Sequence, residues 1–203
     1  MKNMLFDFWG TLAYLTPGED FGAIISNTLG IDKERYLEFV KSCWFTERLS
    51  SVDFAKALIE KFSKPRKDLE HSLVEYIESP IYRAKLYPEV SKVLHNLSLN
   101  KNLYLVSDTS SIGKQIIENL DILKFFNQTF LSFEHGLTKK EGLYNLVFKT
   151  ILAKYEDVMV IGDSLESDYY LPRQLGVRSL LVDRNEKYAH TEFDRIKSLN
   201  ELK

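Results

Sequence analysis

An open parallel α/β sheet wound on both faces, with a small helical insertion after its first strand, is the fold class this sequence predicts. Three observations predict it. Beyond residue 100, short apolar runs alternate with stretches of helical period. Those runs are continuously apolar rather than alternating, which is the pattern of strands buried on both faces. Four helical segments also follow the first apolar run with no strand among them.

The elements follow in chain order. Residues 2–8 are an apolar run that meets Asp7 and then Gly10-Thr11, a strand entering a tight loop. From about residue 20 the period becomes helical. Phe21, Ile24, Ile25 and Leu29 share one face, and Tyr36, Phe39, Val40, Cys43 and Trp44 a second. Phe54, Ala57, Leu58 and Phe62 form a third, and Leu69, Leu73, Tyr76 and Ile77 a fourth. Residues 15–83 are therefore expected to be a helical cap, and residues 1–14 with 84–203 the α/β core. Pro88 suits the first turn of a helix carrying Val90, Val93, Leu94 and Leu97. Strands are then expected at 103–106, 129–133, 158–161 and 179–182. Helices are expected at 111–120, 143–155 and 167–175, with one short surface helix in the last 20 residues or so.

The 203 residues, 44% hydrophobic and 28% charged, suffice for one such domain with a modest insertion. Lys and Arg total 27 against 29 Asp and Glu, a formal charge of -2, which gives no sign of nucleic-acid or anionic-membrane binding. Glycine (9) and proline (5) are scarce and no repeat is visible, which leaves little room for linkers or solenoids. Cys43 is the lone cysteine and is read as packing; it has no disulfide partner within the chain. No Cys/His cluster has zinc spacing, so any metal is expected to take oxygen ligands. No apolar run approaches the roughly 18 residues a membrane helix requires. A soluble, cytoplasmic protein is the expectation.

In parallel α/β sheets ligands bind beyond the carboxyl ends of the strands. The polar residues there are Asp7 with Gly10-Thr11, Ser107-Asp108-Thr109, Lys139-Lys140, and Gly162-Asp163-Ser164 with Asp168. One carboxylate able to attack, one hydroxyl, one cation and an acidic pair would meet at one end of the sheet. Such a set suits phosphoryl transfer: a carboxylate attacks phosphorus, a divalent cation neutralises the opposing charge, and a lysine and a hydroxyl hold the transferring oxygens.

The ordered set Asp7-Phe8-Trp9-Gly10-Thr11, Ser107, Lys139 and Gly162-Asp163-Ser164-Leu165-Glu166-Ser167-Asp168 resembles the haloacid dehalogenase superfamily of hydrolases, from residue 2 to about 183. The resemblance implies a Rossmann-like core, Asp7 as nucleophile and Ser107 bonding phosphate oxygen. Lys139 would stabilise the nucleophile and the transferring group, with Lys140 as the alternative. It implies Mg²⁺ on Asp7, Asp163 and the backbone carbonyl of Trp9, with Asp168 helping directly or through water. Trp9, Thr11, Ser107, Asp108 and Thr109 are the substrate-binding candidates. The substrate implied is a small phosphorylated metabolite.

One position departs from the family pattern. Where the phosphatases carry a second Asp that protonates the leaving oxygen and then activates water, this chain has Trp9. An indole N–H donates a hydrogen bond but exchanges no proton near neutral pH. Losing a general acid typically removes about 10² to 10⁴ in rate. Asp108, Glu19 and Asp20 are the nearest acids by sequence. An aromatic residue here resembles the 2-haloacid dehalogenases, whereas Gly162-Asp163-Ser164 has the metal-binding form, so the reading leans to Mg²⁺-dependent phosphate chemistry with dehalogenation second. A phosphate-binding regulatory protein of weakened turnover is a third reading.

Several of these residues also admit plain roles. Asp7 could open a turn, Ser107 and Thr109 could cap the helix at 111, and Lys139-Lys140 could be a solvated pair. Asp163 and Ser164 could cap the next helix, and Asp168 could be an exposed first-turn acid. His71, His95, His135 and His190 lack metal or triad spacing, and only His135 lies near a candidate. Trp44, Phe45, Tyr76, Tyr82 and Tyr87 are read as packing within the cap or between cap and core, although an apolar cap face above the site could also select the substrate.

Overall fold

The computed structural model describes residues 2–16, 20–63 and 67–202. Strand β1 (Asn3–Phe6) is buried throughout and lies inside the sheet. Its alternation sorts the core: Met4 and Phe6 point to one face, Leu5 to the other, and Leu105 and Tyr104 of a neighbouring strand divide likewise. The chain then makes β2 (Ala13–Leu15) and enters α1 (Phe21–Leu29), α2 (Lys33–Phe39), α3 (Ser51–Phe62), α4 (Lys67–Glu78) and the short α5 (Pro80–Arg83). Asp20, Asp32 and Ser50 start the first three of these helices by accepting from the amides of Ala23, Arg35 and Asp53, each worth about 1 kcal/mol. Beyond α2, Val40–Trp44 continues as a wider helical turn.

The return is β3 (Ala84–Leu86), antiparallel to β2, followed by α6 (Val90–Ser98). After it come β4 (Asn102–Ser107), α7 (Ser111–Asn119), β5 (Gln128–Leu131), α8 (Ser132–His135), α9 (Tyr144–Ile151) and β6 (Val158–Gly162). A wide turn, Leu165–Tyr170, leads into α10 (Leu171–Gln174), then β7 (Arg178–Val182) and β8 (Arg195–Ile196). The six core strands run parallel in the order β5-β4-β1-β6-β7-β8. Apolar side chains of the cap, such as Ile25, Phe54 and Leu73, join the core cluster that contains Phe6 and Phe8.

The structure differs from the sequence expectations at several points. Pro88 lies in a turn before α6 rather than in its first turn. The strand expected to reach Phe133 ends at Leu131, because Ser132–His135 forms a helical turn closed by Gly136 in the left-handed region. The C-terminal segment adds strand β8 besides a single short helical turn, Leu199–Glu201. The β2-β3 ribbon, which closes the mouth of the insertion, has no counterpart in the sequence reading. Cys43 is partly buried against the core cluster.

Candidate active site

Asp7 follows β1, its amide still bonded to the Ile161 carbonyl, so its carboxylate is held where the strand ends. It is buried, with Lys139 Nζ 2.5 Å from Oδ1 and the Thr11 hydroxyl donating to Oδ2 at 3.3 Å. Lys139 Nζ also donates to Asp168 Oδ1 at 2.7 Å, and the Lys139 amide donates to Asp108 Oδ1 at 2.8 Å. The Tyr144 hydroxyl adds a bond to Asp168 Oδ1 at 3.0 Å, and the Ser164 amide one to Oδ2 at 3.1 Å. Both Asp168 oxygens are therefore engaged.

The two adjacent lysines part company here. Lys139 is 3% exposed and bridges two carboxylates, whereas Lys140 is on the surface paired with Glu166. A local device turns them apart: the Thr138 amide and hydroxyl donate to Glu141 Oε2, and Gly142 stands at φ 117, a left-handed value that glycine adopts without strain. Helix α9 thus opens at Tyr144, after a wide turn that begins at Lys139 itself.

Asp7, Asp163 and Asp168 each offer an oxygen within 4.8 Å of the others. Two glycines allow this crowding. A Cβ at Gly10, which has φ 71, would strike the Asp163 carboxylate, and one at Gly162 would strike Asp168. Three carboxylates against one ammonium leave negative charge in excess. Burial, then the neighbouring acids, push Asp7 up to about 8 against the pull of Lys139, and burial with Asp168 pushes Asp163 up to about 6. Burial works against the Lys139 ammonium, yet Asp168 and Asp7 hold its pKa above the ordinary value. A divalent cation would relieve the excess, so this donor set fits an oxygen-liganded metal.

The other candidates are placed as follows. The Ser107 hydroxyl is buried with no partner among the described residues. Neither Ser107 nor Thr109 caps α7; Ser110 does so. The Thr109 amide donates to the Ser132 hydroxyl, and Asp108 lines a polar cleft. The Trp9 ring meets Phe8 edge-on and lines an apolar pocket under the cap. Of the acids near Trp9 in sequence, Asp20 caps α1 and pairs with Lys33, and Glu19 lies outside the described residues. Ser164, rather than Asp163, caps the turn after β6, and Asp168 is buried rather than exposed. His135 lies against Phe130, and Tyr82 is exposed.

Sequence reasoning missed three residues here. Tyr144 falls on the apolar face of a helix, where its hydroxyl gives no signal. Arg184 donates to the carbonyls of Gly10 (3.3 Å) and Thr11 (2.6 Å), binds Glu89 at 2.8 Å and stacks 3.5 Å over the Tyr87 ring. It follows β7, so collecting strand ends one strand further would have found it. Glu89 also accepts from the Ser198 hydroxyl, tying the C-terminal segment to the loop after Asp7.

A parallel α/β sheet whose inner strand ends in a carboxylate gripped by a lysine, with two more acids beside it, defines a hydrolase of the doubly wound class. The chain belongs to the haloacid dehalogenase-like hydrolases, whose family model matches residues 1–176. The uncharacterized protein YMR130W of Saccharomyces cerevisiae is 29% identical in an alignment 122 positions long, and the match covers 51% of this chain and 40% of that protein. Among solved structures, the haloacid dehalogenase family enzyme BT-2542 of Bacteroides thetaiotaomicron, in complex with magnesium and inorganic phosphate, superposes with TM-score 0.72 at 20% identity, covering 94% of this chain and 98% of that one. A 2-haloacid dehalogenase from Pseudomonas syringae superposes with TM-score 0.69 at 17% identity, covering 100% and 96%. The fold is thus common to both chemistries, and the site must decide between them. Among the described residues no helix is long and apolar enough to cross a membrane.

Proposed function

We propose that this hydrolase is a Mg²⁺-dependent phosphatase acting on a small phosphorylated molecule through an aspartyl phosphate at Asp7. The observation that carries the reading is the excess of carboxylate at one point: the buried Asp7 and Asp168 share a single lysine, and the exposed Asp163 offers an oxygen within 4.8 Å of theirs. Displacement of halide from carbon needs no such charge, whereas phosphate brings negative charge that must be offset. Asp7, Asp163 and the Trp9 carbonyl would hold Mg²⁺, which supplies that neutralisation when bound. Asp168, whose oxygens accept from Lys139, Tyr144 and the Ser164 amide, would help directly or through water.

The chain's own groups divide the remaining work. Lys139 and Thr11 fix the two oxygens of Asp7, so the carboxylate meets phosphorus with little reorganisation. Lys139 and the unpartnered Ser107 hydroxyl bind the transferring oxygens. Asp108 anchors the Lys139 backbone and thereby its reach. Residues 15–83 form the cap that shields the reaction from water, and residues 1–14 with 84–203 the catalytic core.

A second reading, 2-haloacid hydrolysis, is favoured by the aromatic ring of Trp9 against an apolar pocket. Acetyl phosphate separates the two, because its leaving acetate needs no proton. Hydrolysis that is lost with a chelator and in Asp7→Asn is expected. Chloroacetate turnover that survives the chelator, with acetyl phosphate untouched, would establish the second reading instead.

A further inference from the structure

The structure also says what kind of group the phosphate is carried on, an inference that rests on the phosphatase reading. The space between core and cap is divided by Phe45, which borders both halves. One half is a cleft lined by Glu38, Asp108, Glu141 and Glu166 with Lys41 and Lys140. Its acids outnumber its bases, so it does not favour a second anionic group. The other half is a pocket of about 170 Å³ with no charged side chain among the described residues that line it.

Asp7, Ser107 and Lys139 do not themselves line this pocket, but two chain segments lead from the reacting groups into its wall. Trp9, two residues after Asp7, forms part of its wall, and Thr109 and Ser110, two and three residues after Ser107, form another part. The cap contributes Ile25, Trp44 and Tyr76 to its wall. A phosphoryl group held between Asp7 and Ser107 therefore has this pocket beside it for the organic group it carries. The size is informative. A cavity of about 150 Å³ lined by apolar side chains stays dry and accepts one benzene ring. This half-open pocket has room for one ring.

The lining also limits the chemistry of departure. It contains no carboxyl, imidazole or ammonium group, so nothing in the wall readily protonates a departing alkoxide at neutral pH. Asp108 lies in the cleft rather than the pocket. A phenolic oxygen, whose conjugate acid titrates near 10, leaves unprotonated far more easily than an aliphatic one.

We infer that the substrate is a phosphate monoester of a single uncharged aromatic ring, bound with the ring in the pocket under Trp9 and the phosphate at Asp7. The Asp7 carboxylate forms an O–P bond as the P–O(aryl) bond breaks, and the electron pair leaves on the phenoxide. Water then attacks the phosphorus of the aspartyl phosphate, releasing dihydrogen phosphate and restoring the carboxylate. The phenoxide takes one proton from that phosphate, so the sum is aryl phosphate plus water giving phenol and hydrogen phosphate.

The test begins with binding, measured by calorimetry on the Mg²⁺-loaded protein. Phenylphosphonate, which cannot be hydrolysed, is expected to bind about 10- to 100-fold tighter than methylphosphonate, the gain that burying one Phe-sized group confers. Equal affinities would overturn the inference. Ile25→Phe fills the pocket and should bring that ratio to about one, with methylphosphonate binding reporting that the anion site survives; an undiminished ratio places the ring elsewhere and overturns it. The wild-type comparison stands even if that variant fails to fold. In turnover, phenyl phosphate should exceed cyclohexyl phosphate, its match in bulk, by at least about 10² in kcat/KM, as expected where no acid assists. Comparable rates would overturn the inference. Acetyl phosphate keeps the two levels apart: its hydrolysis without any preference for the ring overturns the aryl assignment alone, and no hydrolysis of either overturns the phosphatase reading with it.

Discussion

Two neighbouring regions, the end of strand β1 and the pocket a few residues further along the same chain segment, are built on opposite principles. Around Asp7 most groups are tied by directional bonds, with Lys139 joined to Asp7, Asp168 and Asp108 and Asp168 joined in turn to Tyr144 and Ser164. Around the Trp9 ring the walls are mainly apolar and aromatic, with Thr109 and Ser110 on one side, and position matters chiefly through shape and volume. Removing one member of the first region strands the others in a poorly solvated site, whereas a change in the second alters only what fits. On the proposed reading, reaction type is set by the core, and choice of substrate by the surface that core and cap share.

The comparison breaks most sharply at Asp7. Asp7→Asn keeps the shape of the side chain but cannot attack phosphorus, and hydrolysis of acetyl phosphate is expected to fall by about 10⁴-fold or more. A variant retaining a tenth of the activity would remove Asp7 from the role of nucleophile. Next in size is the buried ammonium. Lys139→Met leaves two buried acids facing each other and should lower the unfolding free energy by about 3–5 kcal/mol in urea titrations. Its neighbour Lys140, exposed and paired with Glu166, should tolerate the same change with no shift of the midpoint. Equal effects at the two positions would mean that the directional region is not what holds this part of the fold.

Trp9→Asp tests the boundary between the regions. It places a carboxyl against apolar walls, where burial raises its pKa and keeps it ready to donate a proton. Cyclohexyl phosphate turnover should rise by about 10², within the 10² to 10⁴ that a positioned acid contributes, and phenyl phosphate turnover much less. The cavity left by the indole will reduce the gain. A folded variant without a gain that depends on the leaving group would point to another acid, and Asp108→Asn would then be measured for a loss confined to poor leaving groups. Within the directional region, Asp168→Ala is expected to weaken Mg²⁺ binding by about 10- to 100-fold in calorimetry, and Asp163→Ala by more. The reverse order would make Asp168 a direct ligand.

The smallest effect concerns pH. Burial pushes the Glu89 carboxyl up, but its bonds to Arg184 and Ser198 more than reverse this and hold it below the ordinary value. A depressed carboxyl contributes stability that is fully present above its unfolded pKa, about 4.3, and is lost as pH falls through the folded value. Glu89→Gln should therefore lower Tm at pH 7, with the gap to the wild type closing below about pH 4. A gap that persists in acid would assign the loss to packing instead.

Much of the directional region was legible in the sequence, because a strand buried on both faces must be apolar and its first polar residue marks where it ends. Asp7, Ser107 and Asp163 stand out for that reason. Lys139 and Lys140 did not separate, since their opposite directions depend on the Thr138–Glu141 bonds and on the backbone of Gly142. The pocket was illegible for a different reason. Ile25, Trp44 and Tyr76 recur at helical spacing whether they touch another side chain or border a space. The β2-β3 ribbon and β8 were missed because two or three residues are too few to show a period.

The position of β1 inside the sheet has a consequence in time. Its partners on either side are β4, which pairs Asn102 with Asn3, and β6, which pairs Val158 with Asn3. A ribosome adding roughly 5–20 residues per second makes the first partner roughly 5–20 s after β1 and the second roughly 8–30 s after it. The nascent chain therefore carries an apolar strand without either partner long before the site exists. The Asp7 carboxylate is the first of the set to be made and among the last to be put in place, and the waiting strand is the segment a chaperone would find.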